Sequence, residues 1–159
     1  DKVMGYVDLY SDGYVPIAGG AVDIIGNKAW PVPFTKAITS EFGMRNGTPH
    51  KGIDISAPGY TDFGKPVVAF ADGDVIFSGS QGTFGYLVII QHDNNLQTYY
   101  AHLKEKGMNF GTNVNAGQTI GYIGSTGYST GPHLHFETRV NGTSVNPRIY
   151  LEEWIGGAP

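Results

Sequence analysis

Gly85-Tyr86-Leu87-Val88-Ile89-Ile90-Gln91-His92, Asp93-Asn94-Asn95, Leu96-Gln97-Thr98-Tyr99-Tyr100-Ala101-His102-Leu103: residues 85–103 read as a strand, a tight reversal and a second strand. The first run is rich in β-branched residues, and the three polar turn residues fold it back on the second. The same texture extends in both directions. Val67-Val68-Ala69-Phe70, the turn signal Ala71-Asp72-Gly73-Asp74 and Val75-Ile76-Phe77-Ser78 predict a β-hairpin. Asn115-Ala116-Gly117-Gln118 leads into a strand over Thr119–Ile123. Residues His133 to Val140 predict another strand, closed by the two-residue turn signal Asn141-Gly142. Only Leu151–Ile155 reads as helix, for one turn. With 24 Gly and 9 Pro separating short apolar runs, the expected class is mainly β, an antiparallel sheet core with little helix.

The length of 159 residues fits one domain. Residues 1–28 are expected to form an N-terminal arm or linker, and residues 29–159 the domain, opening at Trp30-Pro31-Val32-Pro33. Net charge is −4 and no run of Lys or Arg occurs, which argues against nucleic acid and against an anionic membrane surface. No stretch approaches ~18 uninterrupted apolar residues, so no membrane span is expected. The absence of cysteine removes disulfides, thiolate metal sites and cysteine nucleophiles together. The chain starts at Asp1 without signal-peptide features, and is read as a mature or excised piece of a longer protein.

The histidines carry the chemistry. His133-Leu134-His135 lies in a predicted strand, so both imidazoles project from one face, a natural start for a metal site. His50-Lys51-Gly52-Ile53-Asp54 pairs an imidazole with a carboxylate, both donors that zinc accepts. In an extended strand the two would sit ~13 Å apart, so a bend is required, and Gly52 permits one. His102 closes the Tyr100-Ala101-His102-Leu103 run. Each element alone is as compatible with an ordinary turn, or with a surface or satisfied core histidine, as with a site. His92, before the Asp93-Asn94-Asn95 turn, stays a polar strand-end residue.

Taken together, these elements resemble a known family. His50-x-x-x-Asp54, Tyr100–Leu103 and Gly124-Ser125-Thr126-Gly127-Tyr128-Ser129-Thr130-Gly131-Pro132-His133-Leu134-His135-Phe136-Glu137 are similar, in type and order, to motifs of the lysostaphin-like (LytM-type) zinc metalloendopeptidases, which are peptidoglycan hydrolases. Ser40–Arg45, Pro66–Gly73 and Ala116–Gly121 match as well, so the resemblance runs from about Trp30 to Tyr150. It implies the antiparallel sheet core of that family, the duplicated hybrid motif. It implies one Zn2+ per domain on His50, Asp54 and His135, with His102 and His133 as the catalytic pair, either of which fits the role of base. No departure occurs at these five positions.

The implied activity is zinc-dependent hydrolysis of peptide bonds in peptidoglycan cross-links or stem peptides, at an extracellular or cell-envelope location. The partners are then bacterial peptidoglycan peptides. The chain shows no recognisable wall-binding module, which suggests a catalytic cap within a larger assembly such as a phage tail, secretion or conjugation machine, with virion association as one form of it. The rival reading is a non-catalytic peptidoglycan-binding or hydrolase-activator module on the same fold; the complete ligand set argues against it. A phosphocarrier of related β architecture also pairs histidines, but Asp54 and a third motif histidine favour the metal. The segments 46–49, 58–65 and 81–85 are expected to wall a substrate groove, with Tyr128 a candidate substrate contact.

Overall fold

The computed structural model describes residues 21–156. Residues 1–20 of the arm or linker expected over residues 1–28 lie outside the described residues. The strands are β1 (Ile24–Ile25), β2 (Lys28–Ala29), β3 (Ile38–Ser40), β4 (Gly43–Arg45), β5 (Thr48–His50), β6 (Ile53–Ile55), β7 (Pro66–Val68), β8 (Gly73–Ser80), β9 (Tyr86–Gln91), β10 (Leu96–Leu103), β11 (Asn113–Val114), β12 (Thr119–Tyr122), β13 (Leu134–Val140) and β14 (Thr143–Val145). One helix, α1 (Arg148–Ile155), follows.

The main sheet runs β11-β8-β9-β10-β13-β6-β3, with β14 beside β13, and every pairing is antiparallel. The expected class therefore holds. The β9–β10 reversal places Asn94 and Asn95 at φ near +60°, and the β13–β14 reversal does the same for Asn141 and Gly142. These left-handed values suit the residue types and give the turn the twist a hairpin needs.

One expectation fails. Val67–Phe70 and Val75–Ser78 do not form a hairpin with each other. Instead β7 pairs with β12, while β8 pairs with β9 and β11. Val67, Val68 and Ala69 are all fully buried, so this run is covered on both faces and has no solvent side to alternate toward. Its continuation is held by Gly117 and Gln118: Ala69 N–H donates to Gln118 O at 2.9 Å, and Gly117 N–H donates to Ala69 O at 2.8 Å. The Asp72 carboxylate accepts Ala116 N–H at 2.8 Å, which turns the chain away as β8 begins. The helix is also longer than expected, beginning at Arg148. Asn146 Oδ1 accepts Arg148 N–H at 3.0 Å, and Pro147 precedes the first helical residue, so the start signal lies upstream of the apolar residues.

Strand alternation divides the sheet into a core face and a site face. Leu134 and Phe136 of β13, Ile53 and Ile55 of β6, and Tyr100 of β10 are fully buried and join Trp30, Ile90 and Leu103 in the hydrophobic core. His135, Glu137 and Arg139 of β13 take the other face. Register puts Asp54 opposite His135, and Ala101 opposite His135 on the other side, so all three share that face.

His92 belongs to the frame. Its Nδ1–H donates to Asp72 O at 2.7 Å, and its Nε2 accepts from Thr98 Oγ1 at 2.8 Å. The buried Tyr100 hydroxyl donates to Thr98 Oγ1 at 2.7 Å and accepts Phe70 N–H at 3.0 Å. Every polar atom of this buried chain has a partner, which keeps its burial from being destabilising.

Candidate metal centre

Gly52 sets the approach of the first two candidate ligands, though not through an unusual dihedral. A Cβ at Gly52 would overlap the carbonyl oxygen of Phe136 and lie 2.9 Å from Glu137 Cγ. Glycine therefore lets the chain between β5 and β6 pass directly against β13. Replacing Gly52 with alanine is expected to cost about 3 kcal/mol, because a backbone atom must move to admit the methyl group. Denaturant unfolding of the variant checks this, and a loss below about 0.5 kcal/mol would contradict the close-approach explanation.

The five predicted residues come together on the site face. Asp54 Oδ1 is 3.3 Å from His50 Nε2, 3.0 Å from His135 Nδ1 and 3.6 Å from His133 Nε2. The ring centroids of His102 and His133 are 4.8 Å apart, and those of His50 and His135 are 5.0 Å apart. Ligand atoms of His50, Asp54 and His135 lie within 4.8 Å of one another.

The outer ring nitrogens are occupied. His50 Nδ1–H donates to Glu41 O at 2.8 Å, and the Glu41 side chain is forked by Arg148 at 2.9 and 2.8 Å. His133 Nδ1–H donates to Gly131 O at 2.9 Å. His102 Nδ1–H donates to Thr126 O at 2.7 Å. His135 Nε2–H donates to Glu137 Oε2 at 2.7 Å. These partners assign the tautomers, leaving Nε2 of His50, His102 and His133 and Nδ1 of His135 to the interior of the site.

His102 reaches the site by breaking strand alternation. Ala101 already faces His135, so a regular strand would point His102 toward the core. Instead its φ is +63°, and the β9–β10 register shifts between Tyr100 and Leu103. This bulge with a left-handed non-glycine residue turns the imidazole back onto the site face. Thr126 holds it there: its carbonyl takes His102, and its hydroxyl donates to Leu103 O at 2.5 Å and accepts Tyr86 N–H at 3.1 Å.

Charge reinforces the geometry. Burial alone would raise the Asp54 carboxyl, but hydrogen bonds from His135 and His50, with His133 nearby, override it and keep Asp54 ionised well below the usual range. Burial would lower His135; its bonds to Asp54 and Glu137 dominate and push it up to about 9. Burial lowers His102 to about 4, and the neighbouring His133 and His135 push the same way. His102 is therefore neutral near pH 7, with a free lone pair on Nε2.

Sequence reading assigned no role to Arg45, Thr126, Glu137 or Arg139. Arg45 Nη1 reaches Asp54 Oδ2 at 3.3 Å and Ser40 Oγ at 2.6 Å, occupying the carboxylate oxygen that faces away from His50 and His135. Two of the expected groove walls flank the histidines. The Tyr60 ring lies against Gly131, where a Cβ would stand 2.8 Å from it, and the Phe84 ring centroid is 6.1 Å from that of His135. Tyr128 is among the most exposed aromatics, and its N–H donates to Thr83 O at 2.9 Å.

Residues 48–147, which contain all five of these residues, match the profile of Peptidase family M23. The chain belongs to this family. Among its relatives, the DD-carboxypeptidase/endopeptidase Mpg of Neisseria meningitidis is 46% identical over 123 residues, covering 74% of this chain and 27% of that one. The peptidoglycan DD-endopeptidase ShyC of Vibrio cholerae is 40% identical over 125 residues, covering 74% of this chain and 28% of that one. The chain thus spans little more than a quarter of these relatives' length. The catalytic domain of the antimicrobial peptidase lysostaphin from Staphylococcus simulans has a TM-score of 0.61 at 30% identity, covering 79% of this chain and 91% of that one. The fold is accordingly the lysostaphin-like M23 peptidase fold.

Proposed function

We propose that this chain is a zinc endopeptidase that hydrolyses peptide bonds in peptidoglycan cross-links or stem peptides, acting in the cell envelope. The observation that carries the reading is the convergence of His50 Nε2, Asp54 Oδ1 and His135 Nδ1, each with its outer atoms already tied to the protein. Two imidazoles and one carboxylate suit zinc, and three protein donors leave a fourth position open, the arrangement of a hydrolytic rather than a structural centre. M23 membership supports peptidase chemistry, and the relatives named for DD-endopeptidase activity support the wall substrate. Among the described residues no helix is long and apolar enough to cross a membrane. In this reading residues 29–159 form the peptidase domain and residues 1–28 lead into it.

When bound, zinc supplies Lewis acidity, lowering the pKa of water at the site to roughly 7 and polarising a carbonyl. The chain supplies the rest. Asp54 stays an anion under three imidazoles, and Arg45 holds its second oxygen. His102, neutral and fixed by Thr126, offers Nε2 as proton acceptor. His133, fixed by Gly131, presents Nε2 as a second acceptor at the same opening, and the proton taken from water by one of the two imidazoles is returned to the departing amine. Tyr60 and Phe84 bound the space a peptide would enter.

Metal loading should depend on pH. In the metal-free protein His135 keeps its second proton up to about pH 9, so zinc must displace it. Protons compete with metal below that value. The apparent zinc affinity is therefore expected to rise about tenfold per pH unit between pH 6.5 and 8.5. Chelator-competition titrations check this, and a flat profile would contradict the proton count.

Digestion of purified peptidoglycan with mass analysis of released peptides tests the function and identifies the bond. Zinc-dependent release of peptide products is expected. Zinc binding without products from any wall chemotype would favour the non-catalytic wall-binding or activator module.

A further inference from the structure

On the site face of β13, His135, Glu137 and Arg139 follow one another at alternate positions. Glu137 is 1% exposed, yet both its oxygens are used. Oε2 accepts His135 Nε2–H at 2.7 Å, and Oε1 takes Arg139 Nε at 2.8 Å and Nη2 at 2.6 Å. The guanidinium of Arg139 lies over the Tyr99 ring, 4.1 Å from its centroid, and Tyr99 stands opposite Glu137 in the β10–β13 register. Phe84 covers the strip, with its ring centroid 5.9 Å from Tyr99 and 6.1 Å from His135.

We propose that Arg139, braced on Tyr99, is a positioning residue for the metal centre: its fork fixes the Glu137 carboxylate, which in turn fixes the His135 ring with Nδ1 toward the metal. The assignment rests on the metal reading above. A buried carboxylate with one partner missing can rotate or draw in water, whereas one held at Oε1 by two Arg139 donors and at Oε2 by His135 has one orientation. A guanidinium is required because it can fork and stack together; an ammonium is a point charge and does neither well. The strip therefore converts a surface-facing cation–aromatic contact into orientation of a ligand four residues back along β13.

The test is zinc affinity of the folded protein, measured by chelator competition at fixed pH for the wild type, Arg139→Met, Arg139→Lys and Tyr99→Phe. Arg139→Met is expected to bind zinc about 10–100-fold more weakly, the usual consequence of removing an outer partner of a metal-bound histidine. Arg139→Lys, which keeps the charge but not the fork, should recover little of this. Tyr99→Phe keeps the ring and should stay within about twofold of the wild type. In the zinc-loaded wild type the His135 Nε2–H should give a downfield proton resonance in slow exchange, lost in Arg139→Met and Arg139→Lys. If Arg139→Met fails to fold, Arg139→Lys decides alone. Wild-type affinity in Arg139→Lys, with the resonance retained, would overturn the proposal. Failure of the wild type itself to bind zinc would overturn the metal reading and this assignment with it.

Discussion

Replacing His135 with alanine is expected to empty the centre of metal and reduce hydrolysis to background. His135 supplies one of three converging donors, and its Nδ1 lies 3.0 Å from Asp54 Oδ1. Structural zinc in zinc-finger peptides is held with roughly 10–16 kcal/mol by four donors at neutral pH, and on that scale one donor is worth about 4 kcal/mol. That is about a thousandfold in affinity. The substitution also leaves Asp54 and Glu137 without a shared partner. Arg45 and Arg139 remain to hold those carboxylates, so the variant should stay folded. Zinc content after desalting reads the result directly. A His135→Ala protein that keeps one zinc per chain would remove His135 from the ligand set.

Replacing His102 or His133 with alanine should separate chemistry from metal binding. Each variant is expected to retain zinc and lose about 100- to 10,000-fold in kcat, the range for removing a proton-transfer group. Both imidazoles have their outer nitrogens fixed to backbone carbonyls, and neither donates an atom to the His50–Asp54–His135 group. The two losses should not multiply in a double variant if the residues act in one proton-transfer sequence. Undiminished turnover in either single variant would take that residue out of the mechanism. Loss of zinc from either would move it into the ligand set.

Much of this was legible in the residues, and what was not has physical causes. The β9–β10 and β13–β14 reversals depend on local preferences of Asn94-Asn95 and Asn141-Gly142, so short-range reading found them. His133 and His135 share a face because strand periodicity is local too. The expected 67–78 hairpin misled because the partners of its first half, Gln118 and the 119–122 strand, are some fifty residues away and no turn signal names them, while its second half pairs with the next strand. The same holds for the outer partners of the site. Glu41 and Arg148 are 107 positions apart, and His102 depends on the Thr126 carbonyl, 24 positions away. Composition cannot reveal which carbonyl a ring nitrogen will find. His102 reaches the site only because the backbone violates strand alternation, so periodicity alone would have turned it inward. Gly52 was legible as the place where the chain bends between His50 and Asp54, and the bend is there. Its second property, the absence of a Cβ against Phe136, was not legible, because Phe136 is far away in sequence.

Chelator-stripped protein titrated with zinc tests the central claim most directly, with bound metal and peptides released from purified peptidoglycan followed in the same samples. The account predicts that hydrolysis rises in proportion to bound zinc and saturates at one equivalent per chain. Full occupancy without hydrolysis, or hydrolysis that persists without metal, would contradict it.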